Sequence, residues 1–136
     1  MKRGDLFGGD WKLNPEKSQF DPNHQPSSAT MHWERTLEGY RMTAEGTMGD
    51  GKALKERPAT FILDGLDHDS PDVPGLSAVM TFPTDNTIEV ESKKGASTIG
   101  KASYVVSGDG LTLTASLSGI DARQRSFQTV TVWDRI

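Results

Sequence analysis

Residues 111–118 read Leu-Thr-Leu-Thr-Ala-Ser-Leu-Ser, apolar and polar side chains in strict alternation. Only an extended strand sends successive side chains to opposite sides, so this period puts Leu111, Leu113, Ala115 and Leu117 on one buried face. The same alternation runs through residues 40–45 and 87–91, while residues 102–106 and 127–133 are rich in β-branched and aromatic side chains, which suit strands. Between these stretches stand turn signals: Glu38-Gly39, Gly49-Asp50-Gly51, Asp85-Asn86, Lys94-Gly95, Gly108-Asp109-Gly110 and Gly119-Ile120-Asp121. That rhythm is a meander of about nine strands.

A helix is signalled at one place, Asn14-Pro15-Glu16-Lys17-Ser18, where Asn can cap, Pro fits the first helical position and Glu the first turn. Parallel pairing needs crossovers that the short turns elsewhere cannot supply, so the sheet is antiparallel. An open sheet of this many strands would expose its edges, whereas rolling into a barrel hides them. The expected fold is therefore all-β, an antiparallel up-and-down barrel of about eight to ten strands with one short helical turn after the first; a two-sheet sandwich is the alternative. Residues 64–75 break the rhythm with a long polar segment rich in Asp, Gly and Pro. Its length makes it a candidate lid over the barrel mouth.

The chain of 136 residues is read as one domain, 1–136. Fifteen Lys and Arg are scattered among nineteen Asp and Glu for a net charge of -4, so no basic stripe invites nucleic acid. No apolar run is long enough to insert in a membrane. Cysteine is absent, which removes disulfides, thiolate nucleophiles and Cys-bound zinc. The opening Met-Lys-Arg-Gly-Asp-Leu-Phe-Gly-Gly has no secretory apolar core. A cytoplasmic location is expected of the chain as it stands, and a secreted or periplasmic one if a leader was removed.

Gly9-Asp10-Trp11-Lys12-Leu13-Asn14, followed by Lys17-Ser18 and Phe20, resembles the Gly-x-Trp start of the calycin barrels, the lipocalins and fatty-acid-binding proteins. It looks closest to uncharacterised bacterial lipocalin-like domains that begin Gly-x-Trp-Lys-Leu-Asn. The end, Val130-Thr131-Val132-Trp133-Asp134-Arg135-Ile136, is similar to the closing strand of such barrels. The resemblance implies that Trp11 sits at the closed end covered by Arg135, a structural role. It also implies a small apolar or amphipathic ligand inside. Fatty-acid-binding proteins hold a carboxylate with an Arg two residues before the last strand's aromatic; here Thr131 stands two before Trp133, and the chain departs from that pattern.

By alternation the interior would be lined by Met31 and Trp33, Tyr40 and Met42, Ala44 and Met48, Met80 and Phe82, and Ile88 and Val90. Methionines suit an adaptable cavity, and they also plug the gaps of a filled core. Arg35 shares the Met31 face and is either an inward cation awaiting an anion or a strand-end residue reaching solvent. The candidate ligand-binding set is thus Met31, Trp33, Arg35, Tyr40, Met42, Met80 and Phe82. Lys101 is a lesser inward candidate. Asp67-His68-Asp69-Ser70-Pro71-Asp72 gathers metal-ligating types but fails the calcium-loop pattern, since Asp72 and Ala78 stand where Gly and Glu belong. It reads as a solvated turn, and no metal site is assigned.

No nucleophile elbow, zinc-protease helix, phosphate loop or dinucleotide fingerprint is present. No catalytic residue and no cofactor is implied. His24 lies in a Pro-rich loop and His32 faces outward, as do Glu89 and Glu91, opposite Ile88 and Val90. A barrel enzyme of isomerase, cyclase or hydratase type would have to work with Tyr40, Tyr104, Glu34 or Glu56, and a filled barrel would serve as an interaction module. Binding of a small apolar molecule is the leading expectation.

Overall fold

The computed structural model describes residues 6–19, 26–48, 51–55, 59–69, 74–84, 86–120 and 125–136. Eleven strands follow the turn signals: β1 (Gly9–Leu13), β2 (Pro26–Arg35), β3 (Gly39–Met48), β4 (Ala53–Lys55), β5 (Ala59–Ile62), β6 (Asp67–Asp69), β7 (Leu76–Thr84), β8 (Thr87–Lys94), β9 (Ser97–Val106), β10 (Thr112–Ile120) and β11 (Ser126–Arg135). Every pairing is antiparallel, in the order β4-β3-β2-β1-β11-β10-β9-β8-β7-β6, with β5 also on β3. Because β4 and β5 pair with successive parts of β3, the eleven strands fill ten positions of one curled sheet. It is an up-and-down barrel in which the two ends of the chain pair, β1 with β11.

Among the described residues the one helical segment is a 3₁₀ turn at Pro15–Lys17. Asn14 caps it by accepting from the Lys17 N–H at 3.2 Å and donates through Nδ2 to Asp134 at 3.0 Å. Ser18 completes the tie: its hydroxyl donates to the Asn14 carbonyl at 2.7 Å and accepts from the Val132 N–H at 2.8 Å. The turn thereby anchors the first strand's exit to the last strand.

Strand directions put the 36–38, 63–66 and 107–111 turns, Asn86, residues 6–8 and residue 136 at one end, the closed end. Buried side chains are concentrated there: Phe7, Trp11, Trp33, Tyr40, Ile88, Val106 and Leu113 are all under 2% exposed. At the closed end Arg135 stacks its guanidinium 4.2 Å from the Trp11 ring centre and donates to three carbonyls, Gly110 at 2.8 Å, Gly8 at 2.7 Å and Leu6 at 2.5 Å. Trp11 returns a bond of 3.0 Å from Nε1 to the Phe7 carbonyl. The segment before β1 is thus strapped under the barrel, and Phe7 is driven inside.

The ladder is incomplete on one side. No bridge joins β5 to β6 or β7 among the described residues; the sheet ends meet through the Gly65 N–H, which donates to the Met80 carbonyl at 2.9 Å. Within residues 64–75, the candidate lid, residues 67–69 are strand β6, bonded along β7. Backbone pairing makes this strand despite its polar sequence, and three residues reading Asp-His-Asp form the short charged edge that discourages further pairing. Residues 70–73 of that segment lie outside the described residues.

Candidate functional site

Register fixes which side chains face inward. Trp11 opposes Met31, Met31 opposes Ala44, Trp33 opposes Met42 and Tyr40 opposes Phe61. Across the barrel Met80 opposes Val90, Val90 opposes Ala102 and Ala102 opposes Leu117. Alternation along the strands thus delivers two facing walls.

Toward the closed end the interior is filled. Trp33 packs 5.0 Å from Phe61, 5.3 Å from Phe7, 5.4 Å from Tyr104 and 5.8 Å from Tyr40, measured between ring centres. Such offset and edge-to-face pairs add about 0.5–1.5 kcal/mol each beyond area burial. Met31 and Met42 belong to the same core and are buried with it. One atom is left over: Trp33 Nε1 is buried without a hydrogen-bond partner among the described residues, a deficit worth about 1–3 kcal/mol. The other two indoles are satisfied, Trp11 by Phe7 and Trp133 by the Thr131 hydroxyl at 2.9 Å.

Toward the other end the interior is open. Leu76, Ala78, Met80, Val90 and Ala102 face inward yet stay half-buried, and Leu117 is exposed. At the seam between β5 and β7 a cavity of about 380 Å³ is lined by Thr60, Ile62, Leu76, Ala78, Met80 and Ser92, together with Ser77, Asp69 and His68. Its size is within the range of small-ligand sites. His68 lies opposite Ala78, and its Nε2 is 2.9 Å from the Asp64 carboxylate. The Leu66 N–H first, and His68 second, hold the Asp64 carboxyl below the usual aspartate range.

Two somewhat larger depressions, about 430 and 450 Å³, lie on the outer face of the sheet. One is lined by Thr81, Glu89, Glu91, Lys101 and Ser103, the other by Lys12, Thr30, Glu45 and Thr47. Those side chains alternate with the inward set, so the grooves are solvated sheet surface, and ligand chemistry is better sought inside.

The structure brings Met31, Trp33, Tyr40 and Met42 together in the closed-end core, while Met80 reaches the seam cavity and Phe82 packs beneath it at the core's margin. Arg35 shares the inward parity but is exposed at the strand end, its guanidinium 5.0 Å from the Tyr40 ring centre and 6.0 Å from that of Phe82. Lys101 is exposed and lines an outer groove, so its inward placement is corrected: inward positions of β9 are even-numbered, beginning with its neighbour Ala102. Glu34 and His32 are exposed, His32 lying 2.8 Å from Asp10. Glu56, His24 and the Met48 side chain lie outside the described residues. Leu111, expected inward, is 58% exposed because the strand begins only at Thr112. Phe7 and Phe61 carry no alternation signal long enough to have revealed their place.

Among the described residues, no three His, Asp or Glu side chains gather to hold a metal ion, and no helix is long and apolar enough to cross a membrane.

No family model matches the chain and no curated protein is significantly similar to it. Solved structures do match along its whole length. Zebrafish ileal bile acid-binding protein complexed with cholic acid superposes with a TM-score of 0.58 at 9% identity, covering 97% of this chain and 100% of that one. As-p18, an extracellular fatty acid binding protein, gives 0.53 at 11% identity over the whole of both chains. A redesigned β-barrel gives 0.50 at 18% identity, covering 100% of this chain and 97% of its own. The fold is that of the lipocalin and fatty-acid-binding barrels.

Proposed function

We propose that this protein binds a small apolar or amphipathic molecule in the open half of its barrel. The carrying observation is the apolar wall of Leu76, Ala78 and Met80 on the inward register of β7, half-exposed around a seam cavity of about 380 Å³ whose other wall is Thr60 and Ile62 of β5. Leaving such a wall wet forgoes about 25 cal/mol for each Å² of apolar surface, a gain that a ligand filling it recovers. The aromatic cluster closes the floor and the methionines supply an adjustable boundary. The matched bile acid-binding and fatty acid binding proteins support the reading by fold; the ligand here is set by this chain's own lining.

Nile red, a neutral dye whose emission brightens in apolar surroundings, tests it. Saturable enhancement with the wild-type protein, lost in Ala78→Trp at unchanged melting temperature, is the expected result. Equal enhancement by both proteins would place the dye elsewhere and overturn the reading.

A further inference from the structure

Accepting a ligand inside the barrel, we infer that it is uncharged and carries a hydrogen-bond acceptor, such as an alcohol, ester or ketone on a hydrocarbon frame, and that Trp33 Nε1 donates to it.

Two independent observations lead there. The first is charge. Along the inward register, Ala29, Met31, Trp33, Tyr40, Met42 and Ala44 face Ala78, Met80, Ile88, Val90, Ala102 and Tyr104, and none of these carries a charge. The described cations on the inward register stand at its margins, and Lys94, opposite Leu76, is exposed at the open mouth. Arg35 is exposed at the closed end over Tyr40 and Phe82, and Arg135 is committed to Trp11 and three carbonyls. His68 at the seam already faces the Asp64 carboxylate. A carboxylate drawn into this lining would lose its water without gaining a counter-charge, which is the costly way to bury an ion. A hydroxyl or ester needs only one donor.

The second observation supplies the donor. Trp33 is 1% exposed and its Nε1–H has no acceptor among the described residues, although buried indoles ordinarily find one. Its ring belongs to the closed-end cluster, where Met42 stands opposite it and Met31 is the next inward residue of β2 toward the open half. A ligand that moves these thioethers aside can place its oxygen against the indole, satisfying a buried donor that has no partner among the described residues.

The three tryptophans make the test direct. In the ¹⁵N–¹H spectrum of the indole groups, Trp11 and Trp133 report bonds already formed, and Trp33 an open one. Titrating the wild-type protein with dodecanol should move the Trp33 signal downfield and leave the other two in place, whereas dodecane should not produce that movement. Dodecanoate at neutral pH should bind on the order of a hundredfold more weakly than dodecanol. Trp33→Phe should lower dodecanol affinity by about tenfold and leave dodecane affinity nearly unchanged. Dodecanoate binding as tightly as dodecanol would overturn the inference while leaving interior binding standing. Dodecanol binding with a motionless Trp33 signal would overturn the assigned donor, and no binding by any of the three would overturn both this inference and the reading beneath it.

Discussion

Trp11 and Arg135 stand directly opposite each other on the first and last strands, the guanidinium 4.2 Å from the indole ring centre. The same guanidinium also reaches three main-chain carbonyls, two of them in the segment ahead of β1. One side chain therefore closes the barrel and holds the strap beneath it. Lysine keeps the charge but not the planar fork. Arg135→Lys is expected to cost about 2–3 kcal/mol, seen as a fall of several degrees in the thermal midpoint.

Gly9 leaves room for that clamp. Its φ is +121°, and a Cβ there would lie 2.7 Å from Arg135 Nη1. Gly9→Ala should destabilise by about 1–3 kcal/mol through backbone strain and displacement of the guanidinium. In the Arg135→Lys background the steric part should shrink, so a double-mutant cycle by urea denaturation should show less than additive loss.

Phe7 is fully buried against Trp33, Tyr40 and Phe82. Phe7→Ala should leave a cavity in the closed-end core and cost about 3–5 kcal/mol, read from urea midpoints. A loss below about 1 kcal/mol would mean that the strap frays and Phe7 contributes little.

How much of this the sequence shows depends on which property is asked. Alternation in residues 40–45, 87–91 and 111–118 identifies the inward faces because a strand's period is two. Parity reports a face and not a depth, so it groups Arg35 with Trp33 although the strand end carries Arg35 into solvent, and it counts Leu111 one residue too early. Phe7 is invisible to it, since its burial is imposed by Arg135, almost the whole chain away. Strand β6 is hidden for the opposite reason: Asp67-His68-Asp69 is a poor strand by composition and forms because β7 offers it an unpaired edge. Which half of the interior is full depends on ring packing between distant strands, which no local pattern encodes.

The Asp109 turn gives a prediction in pH. The Ser107 hydroxyl donates to its carboxylate at 2.5 Å and the Leu111 N–H at 3.0 Å, and these bonds hold the carboxyl below the ordinary value of 3.8. A carboxyl lowered by folding stabilises the native state above its unfolded value, and that contribution disappears as pH falls through the folded one. Urea midpoints of the wild-type protein should therefore drop with a steeper slope below about pH 4 than those of Asp109→Asn. Parallel acid limbs would show that the turn's bonds persist without the charge.

The central claim is that a ligand enters the barrel rather than an outer groove, and methionine methyl resonances test it most directly. Met31, Met42 and Met80 lie on the inward faces, at the floor and wall of the open half. On titration with dodecanol, saturable shifts of these three methyl signals at a common midpoint, with the backbone amides of Glu89 and Lys101 little changed, are the expected result. Shifts confined to Glu89, Lys101 and their outer-face neighbours, with the methionine methyls unmoved, would contradict it.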